Sequence, residues 1–388
     1  MSFGRDKRNV LVLSICQALF NSGRGLMFLA ATLVGANMLG ENLIFVTAPI
    51  TIMLVGTASG TLPAAHLMRL FGRKVGFVIG SVIGAGGCWI CYTSLPDNNF
   101  LLFNVGMFFY GIYSGFSQQY RFAVADAAPD NFKAKAISLV LAASVVGAVV
   151  GPETAKVTRN LFVDVEFAGS MLALIGLCLA TGLIVTFIDI PKLSREEYAD
   201  KGRPLLDIVA QPTFIVAFIA AAIGYVAMNI LMTATPLSMR LGSNFNFNDT
   251  ALVIEWHIIG MFAPGFFTGH LITRFGHIKV IFAGGLLLLL AVATALNGIT
   301  LTHFWVAMFL VGAGWNFTFT GGTALLTGVY TPSERNKVQG IYDFTVFSFM
   351  ALSSLSSGAI FHFLGWKWVN LSALPMVAIL LTATIWLA

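Results

Sequence analysis

The sequence predicts an all-α membrane protein with twelve transmembrane helices arranged in two pseudo-symmetric six-helix bundles. Hydrophobic residues make up 57% of the 388 residues and charged residues only 10%, so the chain has more apolar surface than a soluble core of this length can bury. A spanning helix needs about 20 apolar residues, which leaves room for roughly twelve spans. The apolar runs are long and continuous, unlike the short alternating segments of a membrane barrel.

An internal repeat predicts the two bundles. Residues 66–74 read HLMRLFGRK and residues 270–278 read HLITRFGHI, and each stretch closes a long apolar run. A second pair follows at nearly the same offset, AAPDNFKAK ending at Lys135 and YTPSERNK ending at Lys337. A membrane protein built from two related halves can open a site between them to either side, so the repeat favours transport.

Polar breaks divide the chain into twelve predicted spans. They lie near residues 9–37, 43–70, 75–95, 100–124, 135–160, 166–189, 209–238, 249–273, 277–297, 302–325, 337–363 and 367–387. The first apolar run continues past Met27 without a small-residue cleavage site, so we expect a retained span and not a signal peptide. The longest polar stretch mixes both signs of charge and is typical of a linker. We therefore predict an N-terminal bundle at 1–190, a cytoplasmic linker at 191–208 and a C-terminal bundle at 209–388.

Basic residues predict the orientation. If the N-terminus is inside, the inner loops contain most of the loop lysines and arginines, and the outer loops keep only Arg159, Arg240 and Lys367. The positive-inside rule then places both termini of this multi-pass protein in the cytoplasm. The net charge of +5 is an orientation signal, and we expect no nucleic-acid partner.

Polar side chains form stripes on the first, fourth, seventh and tenth predicted spans. A polar group in lipid is costly unless it faces a partner or a wet cavity. We predict as substrate-binding residues Gln17, Asn21, Arg24, Gln118, Arg121, Tyr225, Asn229, Trp315, Asn316 and Thr320. The alternative for the amides and hydroxyls is hydrogen bonding between helices.

Two intramembrane arginines need partners. An unpaired charge such as Arg24 near mid-depth costs about 2.5–3.5 kcal/mol or more on insertion scales, so a carboxylate or an anionic ligand should meet it. Arg121 lies nearer the cytoplasm, at a depth similar to that of Asp343 in the eleventh span. We predict that these two approach when the inner gate closes, with Asp126 as the competing local partner of Arg121.

Further candidates for proton coupling or gating lie towards the outer side. Glu153 and Lys156 are three residues apart and can neutralise each other. Glu255 and His257 lie at comparable depth in the eighth span, where a carboxylate or an imidazole at low dielectric can take up a proton. Since residues two apart on a helix point to nearly opposite faces, we favour Glu255 for the proton and a structural role for His257.

The basic loop after the second span carries a family resemblance. Residues 71–74, FGRK, match the end of the loop Gly-x-x-x-Asp-Arg-x-Gly-Arg-Arg/Lys, and the chain therefore resembles the major facilitator superfamily of twelve-helix secondary transporters. Arg69 and Leu70 stand where the family usually has Asp and Arg. The predicted hinge-loop residues are Gly72, Arg73, Lys74, Arg274 and Gly276. The resemblance also implies that the first, fourth, seventh and tenth spans line a central cavity.

These observations predict a secondary active transporter of a small organic, anionic or amphipathic solute, working by alternating access with proton coupling. The sequence contains no nucleophile with a base, no metal-ligand cluster and no phosphate loop, so we expect no enzyme, no metal and no cofactor. The expected partners are the lipid bilayer, the solute and a proton, and we expect a monomer. The alternative is a non-transporting membrane receptor or assembly scaffold that retains the fold, for which the altered loop at Arg69 and Leu70 is the hint.

Overall fold

The computed structural model describes residues 2–39, 48–190 and 202–388, and all regular structure within them is helical. The helices in the first part of the chain are α1 Ser2–Leu39, α2 Ala48–Phe71, α3 Arg73–Ser94, α4 Phe100–Ser117, α5 Tyr120–Ala127, α6 Lys133–Ala142, α7 Ser144–Thr158 and α8 Ala168–Ile184. The later helices are α9 Leu205–Val209, α10 Pro212–Leu237, α11 Phe247–Phe262, α12 Gly265–Phe275, α13 His277–Asn297, α14 Leu301–Leu326 and α15 Arg335–Leu387. Most of the predicted linker, residues 191–201, lies outside the described residues, as does the predicted start of the second span at 43–47.

Eleven helices within the described residues are long and apolar enough to cross a membrane. Three predicted spans consist of two helices each, namely α4 with α5, α6 with α7, and α11 with α12. Conversely, α15 supplies the last two spans, which join at Gly365 with a φ of 79°. The tenth predicted span, α14, is 26 residues long, but its glycines, threonines and asparagine lower its hydropathy, and it is not among the eleven.

The chain divides into two compact units. Unit 1 comprises Met1–Ala128, Ala143–Gly202 and Pro332–Ser348, and unit 2 comprises Pro129–Ala142, Arg203–Thr331 and Phe349–Ala388. The division therefore falls inside the fifth predicted span, between α6 and α7, and inside α15. In unit 2, α6 is tied to α12 because the Ser138 hydroxyl donates to the Gly265 carbonyl and accepts from the Gly269 N–H, 2.9 Å away.

The repeated basic loop has the same backbone conformation in both copies. Gly72 joins α2 to α3 with φ 89° and ψ 162°, and Gly276 joins α12 to α13 with φ 87° and ψ 160°. This region of backbone space is open essentially to glycine alone, because a Cβ would clash with the neighbouring peptide groups. The two predicted hinge glycines thus make the same turn between consecutive helices.

Four glycines bring α2 and α4 into backbone contact in unit 1. A methyl group added to Gly56 would lie 3.1 Å from the Gly111 Cα, and one added to Gly115 would lie 3.1 Å from the Gly60 Cα. The two pairs are spaced four residues apart on each helix, so each helix carries a Gly-x-x-x-Gly face. Small residues at this spacing allow helices to pack closely in lipid, where the hydrophobic effect no longer drives association.

Candidate functional site

The polar face of α1 is partly used to hold α7. The Gln17 amide donates to the Ser144 hydroxyl at 3.0 Å, and the Asn21 amide donates to the same oxygen at 2.9 Å. Gly147, one turn further along α7, passes so close that a methyl group there would lie 2.8 Å from the Asn21 Cβ. Two predicted substrate-binding residues are thus brought together, and both make hydrogen bonds between helices of unit 1.

Arg24 lies two turns beyond Gln17 on α1 and is half-buried. Its guanidinium lies over the Phe28 ring, 5.5 Å from the ring centre, in a cation–π contact. Within the described residues it has no hydrogen bond and no ion pair. The carboxylate expected from the sequence is therefore not found in the described part of the chain.

A buried tyrosine hydroxyl lies against α1 at Gly23, the residue before Arg24. A methyl group on Gly23 would be 3.1 Å from the Tyr110 hydroxyl oxygen, and this oxygen has no hydrogen-bond partner among the residues described. The Tyr110 ring contacts Tyr113 edge-on at 5.7 Å, and Tyr113 contacts Phe20 at 5.6 Å. The sequence analysis missed both tyrosines, because nothing in the pattern separates them from the other aromatic residues of this span.

The break between α4 and α5 leaves a backbone carbonyl to which Arg121 donates a hydrogen bond. The helical ladder is interrupted at Gln118 and Gln119, and the Gln118 carbonyl accepts a hydrogen bond from Arg121 Nη1 at 2.8 Å. The Gln118 side-chain oxygen accepts from the same nitrogen at 3.1 Å. Arg121 Nη2 forms an ion pair with Asp343 of α15, and both side chains are buried. The predicted residues Gln118, Arg121 and Asp343 are thus brought together in unit 1.

Gln119 connects this ion pair to the hinge-loop arginine. Its side-chain oxygen accepts from Arg73 Nη1 at 2.9 Å, and its amide nitrogen donates to Asp343 Oδ2 at 3.1 Å. We call Arg73, Gln119, Arg121, Asp126, Gln339 and Asp343 the buried charge network of unit 1. The sequence analysis missed Gln119 and Gln339, since a glutamine next to the predicted stripe gives no signal of its own.

Asp126 pairs with the hinge-loop arginine and not with Arg121. Arg73 Nη2 lies 2.7 Å from Asp126 Oδ2 and also donates to the Gln339 side-chain oxygen. Arg335, at the start of α15, lies 3.7 Å from the same carboxylate oxygen. The end of the basic loop that matches the family pattern thus has a buried counter-charge at the end of α5, although Arg69 stands where the family usually has an acidic residue.

Two predicted polar residues of unit 2 make hydrogen bonds between helices, and others lie beside a cluster of aromatic rings. The Asn229 amide donates to the Ser353 hydroxyl at 3.0 Å. The Asn316 amide donates to the Met261 carbonyl at 2.6 Å and accepts from the Thr268 hydroxyl at 2.7 Å. Pro264, which has no N–H, separates α11 from α12 and leaves carbonyls near the kink free to accept from side chains.

Four aromatic rings lie together at the middle of α14, and two of them belong to that helix. We call Tyr225, Phe262, Trp315 and Phe319 the aromatic cluster. The Trp315 ring stacks on Phe319 at 5.0 Å with an interplanar angle of 16°. Tyr225 and Phe262 meet Trp315 edge-on at 5.2 and 5.6 Å. Trp315 Nε1 and the hydroxyls of Thr320 and Thr323 are buried and have no hydrogen-bond partner in the described part of the chain.

The outer candidates occupy contrasting surroundings. Glu153 is exposed and pairs with Lys156 at 2.6 Å, and Glu255 is exposed as well. His257 is fully buried, with Nδ1 2.8 Å from the Met308 carbonyl oxygen. Because a carbonyl only accepts, Nδ1 carries the proton, and Nε2 is left as an acceptor with no partner among the described residues.

The remaining predicted residues lie at the surface. Lys74 and Arg274 are exposed, and the Arg274 guanidinium lies 5.2 Å from the centre of the Phe275 ring. Among the described residues, no group of three or more His, Cys, Asp or Glu side chains could hold a metal ion. The four cysteines are buried and unpaired.

The long apolar helices enclose ion pairs, aromatic rings and polar groups without partners. This combination is typical of a multi-pass membrane protein of the solute-transporter class. The chain belongs to the Major Facilitator Superfamily, whose sequence profile matches residues 13–263 and 217–388. The predicted family and the predicted twelve-helix fold class are thereby confirmed. Membership of this superfamily indicates a transporter of a small molecule and not an enzyme.

Curated relatives match almost the full chain. The riboflavin transporter RfnT of Brucella anthropi is 39% identical over 381 residues, which cover 98% of this chain and 95% of the relative. The uncharacterized transporter YdeG of Bacillus subtilis is 28% identical over 371 residues, covering 91% of this chain and 85% of the relative.

Solved structures share the fold at low sequence identity. The human organic anion transporter MFSD10 is 13% identical with a TM-score of 0.77, covering 98% of this chain and 99% of that chain. The E. coli fucose:proton symporter FucP is 15% identical with a TM-score of 0.76, covering 98% of both chains.

Proposed function

We propose that this chain is a secondary active transporter that carries riboflavin, or a solute with the same flat heteroaromatic ring, across a bacterial inner membrane. The observation that carries the proposal is the 39% identity to a riboflavin transporter over 98% of this chain and 95% of the relative. At this level over the whole length, no separate part of the chain is left to account for a different activity. Transport is by alternating access, with both termini in the cytoplasm and the monomer as the working form.

The chemistry inside each unit supports an amphipathic solute of this kind. Riboflavin joins a flat ring system bearing carbonyl oxygens to a chain of hydroxyl groups, and it needs hydrogen bonds more than a counter-ion. Unit 1 offers the guanidinium of Arg24 and, at the neighbouring Gly23, the Tyr110 hydroxyl, both without a hydrogen-bond partner in the described residues. Unit 2 offers the rings of the aromatic cluster.

We assign the coupling proton to Asp343. Its carboxylate is fully buried and faces the Arg121 guanidinium directly, and it faces Arg73 through Gln119. Protonation of this carboxylate removes the negative charge that holds the two arginines, which weakens the attachment of Pro332–Ser348 to α3, α4 and α5 within unit 1. A carboxylate with this effect on a helix segment can link proton binding to a conformational change.

Uptake into vesicles tests the proposal. The purified protein is reconstituted into proteoliposomes, and entry of radiolabelled riboflavin is followed with and without an imposed pH gradient. We expect accumulation above the external concentration that collapses when a protonophore is added. Protein-free vesicles are the control for leakage.

Binding of riboflavin without accumulation would favour the receptor or scaffold alternative over transport. The Arg73–Asp126 ion pair gives that alternative no support, because the altered loop retains a buried partner for its arginine. Transport of riboflavin that is independent of any pH gradient would reject the assignment of a coupling proton and leave the substrate in place.

A further inference from the structure

The face of α14 that carries the aromatic cluster meets its neighbours through rings and polar side chains, because Tyr225 and Phe262 contact Trp315 and Asn316 bonds to the Met261 carbonyl. At 100° per residue, Trp315, Phe319, Thr323, Asn316 and Thr320 fall within an arc of about 140°. The opposite side is tightly packed, since a methyl group on Gly284 of α13 would lie 2.8 Å from the Thr318 Cγ2 and 3.0 Å from the Gly314 carbonyl oxygen. The aromatic and polar groups thus share one face, opposite the face on which α13 and α14 pack closely.

The threonines on this face behave differently from the other threonines of α14. In lipid, a threonine hydroxyl usually donates to a carbonyl of the preceding turn, as Thr318 does to Gly314 at 3.0 Å. The hydroxyls of Thr320 and Thr323 are fully buried and make no such bond to any described residue. Together with Trp315 Nε1, they form a row of three donors that a hydrogen-bonding ligand can use.

The rings beside these donors suit a flat ligand. Trp315 and Phe319 are stacked nearly parallel, and Tyr225 stands edge-on to both, 4.8 Å from Phe319. Parallel rings offer a π-surface to another aromatic plane, and the upright ring limits the position of its edge. Donors at the edge of a stacking surface fit a heteroaromatic ring with acceptor atoms on its rim.

We propose that this face of α14 binds the ring system of the substrate, with the outer face of the Trp315–Phe319 stack against the ligand plane and with Trp315 Nε1, Thr320 and Thr323 donating to its rim acceptors. The inference rests on the proposed function, because riboflavin has such a ring with carbonyl oxygens and ring nitrogens on its rim. It assigns the ring to unit 2 and leaves the hydroxyl chain to other residues. Lumichrome, which is the ring without that chain, therefore binds at this face, and ribitol does not.

Quenching of ligand fluorescence tests the proposal on the intact protein in nanodiscs. Riboflavin and lumichrome are titrated against the wild type and against Trp315→Phe, Thr320→Val and Thr323→Val. Thr320→Val and Thr323→Val keep the shape of the side chain and remove one donor, and Trp315→Phe removes the donor together with part of the ring surface, so we expect affinity for both ligands to fall by about 2- to 10-fold per variant. Thr302→Val and Trp305→Phe, on the same helix but away from the cluster, serve as matched controls and leave affinity unchanged.

Melting temperature separates a binding role from a structural one. Replacing a buried donor that has no partner by a methyl group removes the cost of burying that donor. Thr320→Val therefore raises the melting temperature of the ligand-free protein, while it lowers the affinity for both ligands. A donor that only stabilised the helix bundle would lower the melting temperature when removed.

The outcomes distinguish the two proposals. Weaker binding of riboflavin and lumichrome by the three variants, with unchanged controls, supports the ring site. Wild-type binding that all three variants retain in full overturns the ring site and leaves riboflavin as the substrate. A wild-type protein that binds neither riboflavin nor lumichrome overturns the proposed function and the ring site together.

Discussion

At the level of single residues, Arg24 and Arg121 show two ways of placing an arginine inside a span. Arg121 is fully buried and bound to a carboxylate, to the interrupted helix at Gln118 and to a ring. Arg24 is half-buried, and its guanidinium contacts the Phe28 ring without a hydrogen bond or ion pair to any described residue. A charge that the fold itself does not neutralise is expensive in a membrane and is a candidate for contact with the solute.

Replacement of Arg24 by alanine is expected to abolish transport and preserve the fold. The guanidinium gives up no ion pair or hydrogen bond to any described residue, so the melting temperature should not fall. A hydrogen bond from a charged group contributes about 1.5–3 kcal/mol, and its loss corresponds to at least a tenfold drop in riboflavin uptake. Uptake in proteoliposomes and thermal unfolding in detergent measure the two effects.

Arg5→Ala is the matched control for this prediction. It removes an exposed arginine of the same helix together with its ion pair to Asp189 at 2.7 Å, and exposed pairs contribute little. Uptake by the Arg5 variant should stay at the wild-type level. If the Arg24 variant also transports normally, Arg24 has no role in the substrate path.

The Arg121–Asp343 pair should behave as a buried ion pair. Asp343→Asn keeps the size of the side chain but removes the negative charge facing Arg121, and breaking a buried pair in this way costs about 3–5 kcal/mol. The double variant Arg121→Gln with Asp343→Asn replaces both charges and should recover most of that loss. Thermal or chemical unfolding of the ligand-free protein in detergent measures the difference.

Asp97→Asn, in an exposed turn, provides the baseline for removing a carboxylate that is not buried and should change the stability little. The prediction is contradicted if the double variant is as unstable as Asp343→Asn alone, because the cost would then not arise from an uncompensated charge.

At the level of helices, glycines explain why α2 and α4 pack so closely. Gly56 faces Gly111 and Gly60 faces Gly115, so the two backbones touch without intervening side chains. The Gly-x-x-x-Gly spacing of both helices is present in the sequence, but the spacing alone does not say which two helices meet. Close packing of this kind gives unit 1 a rigid pair of helices beside α3, which contributes Arg73 to the buried charge network.

A single methyl group should disturb this contact. In Gly115→Ala the new Cβ would lie 2.6 Å from the Thr57 carbonyl oxygen and 3.0 Å from the Gly60 carbonyl carbon. Backbone atoms cannot rotate away, so overpacking should cost about 1–3 kcal/mol. Gly86→Ala is the control, since nothing lies within 4 Å of a methyl group at that position. Equal melting temperatures for the two variants would show that the contact is not tight.

The sequence predicts helices better than it predicts their interruptions. Apolar periodicity located the spans, and Pro264 made a kink between α11 and α12 foreseeable. The break at Gln118 and Gln119 has no proline or glycine, and it depends on Arg121 donating to the freed Gln118 carbonyl. Matching depth in two spans predicted that Arg121 would meet Asp343, but no local pattern predicts that the helix breaks beside this pair.

At the level of the whole molecule, the repeat could be read from the sequence, but the partner of its loop arginine could not. Gly72 and Gly276 make the same turn, as the two copies of the loop indicated. Depth along the helices suggested Asp343 for Arg121, which the structure shows, but the competing local partner, Asp126, pairs with Arg73. Depth gives one coordinate of a side chain, and ion pairing also needs the lateral positions of the helices.

The crossing of α14 can be checked directly in the membrane. Eleven helices of the described residues qualify as spans by composition, and α14 does not, because its glycines, threonines and asparagine lower its hydropathy. If α14 crosses the membrane, the loops at its two ends lie on opposite sides and both termini lie in the cytoplasm. If it does not, Ile299 and Thr331 lie on the same side.

Cysteine labelling distinguishes these arrangements, because the four native cysteines are buried and should react poorly with a membrane-impermeant maleimide. We expect Ile299→Cys and Asn160→Cys to be labelled in intact cells, and Thr331→Cys and Asp130→Cys only after the membrane is opened, since all four positions are exposed. The pair at 160 and 130 fixes the orientation of the first half independently of α14.

Equal labelling of positions 299 and 331 in intact cells would contradict a twelve-span topology. Labelling of position 130 in place of position 160 would reverse the orientation inferred from the basic loops. A polar helix that nevertheless crosses the membrane is expected only where neighbouring helices and a solute shield its polar face from lipid, so the same experiment bears on the function assigned to α14.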